Sequence, residues 1–247
     1  MNPQQQQTLS GLRVGITGGT SGLGLALVEN LVARGAKVAF VARDAARVSA
    51  IAAQTAGAHG IVGDVSRKED IYPIALQFTG ALGGLDVLIN NASTLGPVPL
   101  VLLADTECED LEAALRTNVL GPFRLTKALL GALAAAAREG GPALVINISS
   151  DAAVNAYAGW GAYGASKAAL AHLSRIWDEE LRTQGLRVIV VDPGDMDTPM
   201  HALAVPDADR ASLKRPADAA RAIVAIIEAR TEEAANARRI RAEPAPA

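Results

Sequence analysis

A tyrosine, a lysine and a serine lie at spacings that could support proton transfer to a substrate oxygen. Tyr163 and Lys167 are four residues apart, so a helix would carry both side chains on one face. A nearby ammonium group favours the phenolate and lowers the tyrosine pKa, which would let Tyr163 exchange a proton with an alcohol or a carbonyl. Ser150 follows an apolar run, and its hydroxyl could hold the same oxygen. Because a Tyr-x-x-x-Lys pattern also arises by chance, the nearby Ser150 is what favours a catalytic interpretation.

A glycine-rich segment predicts where a dinucleotide would bind. Thr17 to Gly24 has the sequence TGGTSGLG, after the first apolar run and before an amphipathic segment. Glycines at such a turn let the backbone approach a pyrophosphate, and the following helix adds free N–H groups and the positive end of its dipole. Glycine is also the usual turn residue, so the position between a strand and a helix carries this prediction.

The residues after the second apolar run indicate which nicotinamide cofactor would bind. An acidic residue there would bind the adenosine ribose of NAD(H), but Ala42 occupies that place and Arg43 follows. Because an arginine fork suits a 2′-phosphate, NADP(H) is preferred over NAD(H). Alternatively, Arg43 is only a solvated charge and Asp44 binds the ribose. Ser21 could donate a further hydrogen bond to phosphate.

The elements that would position these residues alternate along the chain. Apolar runs predict strands at 12–17, 37–42, 60–62, 85–90, 143–148 and 186–191, with a weaker candidate at 238–241. Helices are expected at 23–34, 45–56, 68–82 with Pro73 in its first turn, 105–138, 163–183 and 216–229. Nearly continuous apolar strands between helices are typical of a sheet buried on both faces. We therefore predict an α/β fold: a single Rossmann-like, doubly wound parallel sheet of about six or seven strands with helices on both faces.

The composition favours one domain and narrows the function classes. Half of the 247 residues are hydrophobic and a fifth are charged, which suits a single core. We expect a disordered polar segment at 1–10, one domain at 11–241 with a substrate lid at 196–215, and a flexible tail at 242–247. The net charge of −3 argues against nucleic acid and anionic membranes as partners. One cysteine and three scattered histidines offer no metal site and fit a reduced, cytoplasmic setting.

Together these motifs resemble the short-chain dehydrogenase/reductase family, in its classical-type branch, over about residues 12–229. The glycine segment matches the family's Thr-Gly-x-x-x-Gly-x-Gly pattern, and Asp64 in Gly63-Asp64-Val65 matches the family's adenine-contacting aspartate. Asn90-Asn91-Ala92 is similar to Asn-Asn-Ala-Gly, although Ser93 replaces the glycine and would narrow the pocket near the cofactor. Pro193 to Thr198 is similar to Pro-Gly-x-x-x-Thr, whose threonine contacts the nicotinamide amide in the family.

The resemblance implies an NADP(H)-dependent oxidoreductase that transfers a hydride between nicotinamide and a carbonyl or secondary alcohol. It implies four catalytic residues: Asn118, Ser150, Tyr163 and Lys167. Asn118 would keep a water that links Lys167 to solvent, although most mid-helix asparagines simply face solvent. The implied cofactor contacts are Gly18, Thr20, Ser21, Gly22, Leu23, Gly24, Arg43, Asp64, Val65, Asn91, Ala92, Tyr163, Lys167, Pro193, Gly194, Met196 and Thr198.

The residues between these motifs predict an apolar substrate pocket. The candidate lining residues are Leu95, Val154, Tyr157, Trp160, Met196 and Met200, which suit a small hydrophobic or aromatic ketone or aldehyde. Tyr157 and Trp160 could instead pack between subunits, and Asp151 could brace the loop after Ser150. The chain lacks the Gly-rich final strand that many family members use for tetramer packing. A homodimer through helices 105–138 and 163–183 is therefore expected as readily as a homotetramer.

Two other functions remain compatible with these residues. A non-catalytic NADP-binding sensor or scaffold could use the same fold, although intact Ser150, Tyr163 and Lys167 argue against it. A sugar-nucleotide epimerase or dehydratase of the extended branch would have a longer chain and a Gly-x-x-Gly-x-x-Gly loop. Ser21 occupies the place that the middle glycine of that loop would need.

Overall fold

Six parallel strands form one sheet in the order β3-β2-β1-β4-β5-β6. The structure is a computed structural model that describes residues 8–242, with side chains described up to residue 237. The strands are β1 (Arg13–Thr17), β2 (Lys37–Ala42), β3 (Ala58–Val62), β4 (Val87–Asn90), β5 (Leu144–Ile148) and β6 (Arg187–Val191). The chain runs from central β1 through β2 to β3 at one edge of the sheet. It then crosses back to β4, beside β1, and continues through β5 to β6 at the other edge. The predicted doubly wound α/β fold is thereby confirmed.

Helices cover both faces of the sheet. They are α1 (Gly22–Ala33), α2 (Ala45–Gln54), α3 (Lys68–Leu82), α4 (Cys108–Leu115), α5 (Gly121–Arg138), α6 (Gly161–Leu181), α7 (Pro199–Ala204) and α8 (Pro216–Ala242). A π-helical segment, Arg116–Leu120, joins α4 to α5. The single long helix predicted at 105–138 is therefore interrupted at Asn118, and the interruption lies beside the candidate site.

Each face of the sheet has its own apolar core. On one face, α1 and α8 pack together through Leu27, Leu31, Ile223 and Ile227, all nearly without solvent exposure. On the other face α3, α5 and α6 bury a second cluster that includes Phe78. Burial of strands on both faces explains why their sequences are almost uninterrupted runs of Val, Ile and Leu.

The long apolar helical stretch belongs to the second core. By length and composition alone, Cys108–Arg138 could cross a membrane, and 44% of its most apolar window is buried inside the protein. Leu125, Leu129 and Leu133 of this stretch are fully buried against the sheet. Packing against the sheet accounts for its apolar face.

Three local expectations differ from the structure. The weak strand candidate at 238–241 is wrong, because these residues continue α8 to Ala242. Pro73 is the sixth residue of α3 rather than a first-turn residue, so the helix loses one internal hydrogen bond there. Leu9, in the segment expected to be disordered, is 1% exposed and packs into the first core. The rest of that segment, 1–7, and the tail residues 243–247 lie outside the described residues.

The segment expected to be a lid is partly helical. Within 196–215 it contains α7, whose start is capped by the Thr198 hydroxyl accepting from the His201 N–H at 3.1 Å. Its two ends are joined, because the Asp197 N–H donates to the Lys214 carbonyl at 2.9 Å and the Lys214 N–H donates to the Asp195 carbonyl at 3.1 Å. The segment therefore leaves the sheet and returns as a closed loop beside β6.

Candidate active site

A cleft of about 910 Å³ opens at the carboxyl ends of the strands. Both β1 and β4 end there, and because the chain winds in opposite directions from these two strands, their loops diverge and leave a crevice. The glycine segment, the ends of β2 and β5, the start of α6 and the loop with α7 all line it. The topology thus brings together segments that are more than 100 residues apart in sequence.

The glycine segment packs too closely for side chains. Gly18 has a φ of +72°, and a Cβ on Gly24 would lie 2.0 Å from the Gly18 carbonyl oxygen. Asn91 fixes this turn: its Nδ2 donates to the carbonyls of Thr17 at 3.0 Å and Gly18 at 3.2 Å. The backbone N–H groups of Asn91 and Ala92 donate to the Thr17 hydroxyl, each at 3.0 Å. A tightly packed turn with glycines at its close contacts, at the start of α1, fits a pyrophosphate group.

The far end of the cleft carries two arginines. Arg43 and Arg47 line it together with Asp44. Asp44 is already engaged, because its Oδ1 accepts from the Arg47 N–H at 3.1 Å and caps α2, and its Oδ2 lies 3.6 Å from Arg47 Nε. Asp64 lines the same end, where its Oδ1 accepts from the Ser66 N–H at 2.9 Å. Two guanidinium groups beside a capping carboxylate suit an anionic group more than a ribose alone.

Ser150, Tyr163 and Lys167 meet at the other end. Ser150 follows β5, and Tyr163 and Lys167 lie one turn apart near the start of α6. Lys167 Nζ donates to the Ile148 carbonyl at 2.8 Å and lies 5.5 Å from the centroid of the Tyr163 ring. All three side chains line the cleft, so the grouping expected from the sequence is present.

The expected lowering of the tyrosine pKa is not found. Burial raises the pKa of Tyr163 to about 12, and the nearby Asp192, Asp151 and Asp195 also raise it, against a hydrogen bond with Ser150 that lowers it. Burial lowers the pKa of Lys167 to about 8. The four-residue spacing carries no information about burial, and desolvation of the buried phenol disfavours the phenolate.

Asn118 is a buried brace rather than a solvent-facing residue. Its side chain is fully buried in the π-helical segment, where Nδ2 donates to the Thr94 carbonyl at 2.8 Å and to Ser166 Oγ at 2.9 Å. Its Oδ1 accepts from the Ser93 hydroxyl at 3.1 Å and the Thr94 N–H at 2.9 Å. The side chain does not line the cleft, so the water-holding role expected of it has no support from its side-chain contacts.

The side chain of Ser93 has a definite partner. Its hydroxyl donates to Asn118, as described above, while the residue also lines the cleft. The serine found in place of the family's glycine therefore connects the loop after β4 to the π-helical segment between α4 and α5. The position of Ser93 in the cleft lining is compatible with the expectation that it narrows the pocket. The sequence did not indicate its hydrogen bond to Asn118.

An apolar wall lies opposite Ser150. Leu95 packs with Tyr163, and Trp160 and Met200 pack against them. The Trp160 ring meets the Tyr163 ring edge-on, with centroids 5.7 Å apart. Val154 was expected in this wall and is not part of it: its side chain is 83% exposed and outside the cleft lining, because the turn after Ser150 directs it to solvent.

The remaining expected residues line the cleft, together with several that sequence reasoning missed. Every candidate cofactor residue and the substrate candidates other than Val154 are among its lining residues. The missed ones include the polar or charged residues Arg47, Thr94, Thr117 and Asp192. Asp192 directly follows β6, and that position at a strand's carboxyl end could have identified it.

The fold and the site together define a dehydrogenase built on a doubly wound sheet. The family profile described as "short chain dehydrogenase" matches residues 13–209. A 2,5-dichloro-2,5-cyclohexadiene-1,4-diol dehydrogenase of Sphingobium indicum is 34% identical over 193 residues, which cover 78% of this chain and 75% of that protein. A serine 3-dehydrogenase of Rhizobium radiobacter is 35% identical over 187 residues, covering 74% and 71% of the two chains.

A solved structure gives the same result. A short-chain dehydrogenase from Shigella flexneri, complexed with NADP, superposes with a TM-score of 0.78 at 27% identity, over 86% of this chain and 89% of that one. The chain belongs to the short-chain dehydrogenase family and is an oxidoreductase. The resemblance seen in the sequence is confirmed.

Proposed function

We propose that this protein is an NADP(H)-dependent oxidoreductase that interconverts a carbonyl and a secondary alcohol on a small, mainly apolar or aromatic substrate. The observation that carries this proposal is the meeting of Ser150, Tyr163 and Lys167 in one cleft with the glycine segment. The glycine segment leads directly into α1, whose N-terminal N–H groups suit a pyrophosphate, and the tight contact of Gly24 with the Gly18 carbonyl fixes the shape of that turn. The residues present therefore fit a dinucleotide.

Each polar group of the site has a defined task in the reductive direction. A nicotinamide held in the cleft would supply a hydride, with its electron pair, to the carbonyl carbon. Ser150 donates a hydrogen bond to the carbonyl oxygen as negative charge develops there. Tyr163 gives its proton to that oxygen, which its pKa of about 12 permits because the phenol is fully protonated at neutral pH. Lys167, held by the Ile148 carbonyl, supports the phenolate that Tyr163 becomes.

The cofactor preference rests on Arg43 and Arg47. Both guanidinium groups line the end of the cleft where the adenosine would lie, and the Asp44 carboxylate there is already used as the cap of α2. A 2′-phosphate would find two cations, while a free ribose would lack the acidic partner typical of NAD sites. This arrangement supports NADP(H) over NAD(H), with Asp64 beside the adenine.

The assembly we propose is a homodimer or a homotetramer in the cytoplasm. The outer faces of α5 and α6 support a contact between copies, since Phe123 and Trp177 stack with ring centroids 5.1 Å apart and Ile176 is 41% exposed beside them. An exposed apolar side chain beside an aromatic pair on two long helices is suited to burial against a second copy.

Turnover with a carbonyl panel tests the proposal. We expect NADPH oxidation with aromatic ketones, diketones or aldehydes, slower oxidation of NADH, and loss of turnover by a factor of about 10³ in Tyr163→Phe with NADPH binding retained. Tyr72→Phe removes a hydroxyl from a residue that is 75% exposed on α3 and should change nothing. A Tyr163→Phe variant that keeps most of its rate would overturn the assignment. NADPH binding with no turnover in either direction would favour the sensor alternative.

A further inference from the structure

A carboxylate lies directly beside the hydroxyl that would hold the substrate oxygen. Asp151 Oδ1 accepts from the Ser150 hydroxyl at 3.0 Å, and its Oδ2 accepts from the Tyr157 hydroxyl at 2.7 Å. Both donors are neutral, and Asp151 forms no ion pair with any lysine or arginine among residues 8–237. Asp151, Ser150 and Tyr157 all line the cleft. A charged group beside the reacting centre therefore has no charged partner from the protein.

Two further carboxylates add negative charge at the substrate end of the cleft. Asp192 and Asp195 also line the cleft, and together with Asp151 they raise the pKa of Tyr163, so their field reaches the phenol. Asp192 Oδ1 accepts only from the Gly194 N–H, at 2.9 Å, in the described structure. Three carboxylates around one phenol oppose binding of an anionic substrate and favour a cationic one.

The cations that face these carboxylates are few and mostly engaged. His201 Nε2 lies 4.0 Å from Asp195 Oδ1, and buried Lys167 donates to a backbone carbonyl. Lys214 lies outside the cleft lining, with its Nζ 3.4 Å from the Pro193 carbonyl, and Arg210 pairs with Asp197. Among the described lining residues, the only arginines lie at the far, adenosine end. Among the described lining residues of the substrate end, the only lysine is Lys167, and its ammonium is already held by the Ile148 carbonyl rather than free to pair with a carboxylate.

The opposite wall indicates what else the substrate carries. Leu95, Trp160 and Met200 form an apolar surface that faces the same space as Asp151 and Tyr157. A pocket with an apolar wall and an acidic edge binds a molecule with an apolar or aromatic body and a positive charge at one side.

We propose that the substrate is a vicinal amino ketone, or the corresponding amino alcohol, whose protonated amine replaces the Ser150 hydroxyl as a hydrogen-bond donor to Asp151, so that Ser150 turns its hydrogen to the reacting oxygen beside Tyr163. The proposal rests on the proposed function. The 3.0 Å between Ser150 Oγ and Asp151 Oδ1 matches a substrate whose nitrogen and oxygen are, from ordinary bond lengths, about 3 Å apart. In reduction the carbonyl carbon gains the hydride and its electron pair from NADPH, the oxygen gains the Tyr163 proton, and the ammonium is unchanged.

Three aromatic ketones of nearly the same shape test this assignment. They are 2-amino-1-phenylethanone, which is cationic, 2-hydroxy-1-phenylethanone, which is neutral, and phenylglyoxylate, which is anionic. We expect kcat/KM with NADPH to be about tenfold higher for the amine than for the hydroxy ketone, and lowest for the anion. Asp151→Asn keeps one of the two acceptor oxygens but removes the charge, and should reduce the amine's advantage to about twofold or less.

A control variant and a binding measurement distinguish a specific effect of Asp151 from a general effect of charge. Glu232→Gln removes one negative charge from an exposed position on α8 and should leave the tenfold preference intact. Calorimetry with the NADP-loaded Tyr163→Phe variant, in which turnover is suppressed, should show 2-amino-1-phenylethanol binding more tightly than 1-phenylethane-1,2-diol, and adding Asp151→Asn should abolish that difference. Equal binding of amine and diol overturns the proposal whether or not any ketone turns over. Reduction of the neutral ketone without an amine preference overturns it while leaving the proposed function intact.

Discussion

Lys167 and Tyr163 lie one helical turn apart, and burial shifts their pKa values in opposite directions. Lys167 Nζ is 5.5 Å from the Tyr163 ring centroid and is fully enclosed. Its pKa falls to about 8 while the pKa of Tyr163 rises to about 12. Both shifts favour the neutral form, because the cofactor-free cleft offers little to solvate either charge. At a pH near 8, Lys167 is therefore close to the midpoint of its titration, while Tyr163 keeps its proton.

The first prediction is that Lys167 makes the stability of the cofactor-free protein depend on pH. Between pH 8 and 10.5 the unfolded chain keeps the Lys167 proton and the folded chain has lost it, so stability rises with pH. We expect the free energy of unfolding of the wild type to gain about 1 kcal/mol from pH 7 to pH 9 relative to Lys167→Met. Denaturant unfolding at several pH values below 9.5 measures this, since Tyr163 acts in the opposite direction only at higher pH. Parallel pH curves for the two proteins would contradict it.

A second prediction concerns the arginine at the end of β2. Arg43→Ala should raise the KM for NADPH by at least about tenfold and change the KM for NADH by about twofold or less, because only NADPH carries the 2′-phosphate. Arg47 is the second cation of this end, and because its guanidinium is paired with Asp44, Arg47→Ala should weaken NADPH binding less than Arg43→Ala does. Initial rates with each cofactor at saturating substrate measure both. If Arg43→Ala weakened the two cofactors equally, Arg43 would be only a solvated charge.

A third prediction compares Asn118, whose buried side chain makes four hydrogen bonds, with Ser93, which donates one of them. Asn118→Ala removes four hydrogen bonds from a fully buried position and leaves buried partners unsatisfied, so we expect a loss of about 3 kcal/mol in the free energy of unfolding. Ser93→Ala removes one of the four and should cost about 1 kcal/mol or less. Thermal and denaturant unfolding compare the two variants. Equal losses would show that Ser93 does more than support Asn118.

Periodicity and apolar runs predicted the sheet correctly because they record local burial. All six main strands lie where those runs are, and the glycine segment lies at the turn that it was expected to form. The strand predicted at 238–241 is wrong because the apolar pattern there is short and weak, and these residues instead continue α8. Val154 was misplaced for a related reason: hydrophobicity indicates burial, but it does not tell which way a turn directs one side chain.

The features that sequence missed depend on contacts between distant segments. Asn118 is reached by Ser93, Thr94 and Ser166, and no spacing rule brings these together. The pKa of Tyr163 depends on the depth of burial at the carboxyl edge of the sheet, which a four-residue spacing with Lys167 cannot convey. Local rules thus predicted side chains that meet in one cleft, while their electrostatics followed from the packed fold.

The last prediction tests the close packing of the glycine segment with two identical substitutions. Gly24→Ala would place its Cβ 2.0 Å from the Gly18 carbonyl oxygen, so the loop must move. We expect it to weaken NADPH binding by at least about tenfold and to lower the free energy of unfolding by about 2 kcal/mol or more. Gly131→Ala, in the middle of α5 with nothing near its Cβ, should instead stabilise the protein by about 0.5–1 kcal/mol. Because the two changes are chemically identical, opposite signs in thermal unfolding would show that the loop packing, and not the loss of glycine itself, is what Gly24 provides; a neutral Gly24→Ala would rule out the tight turn.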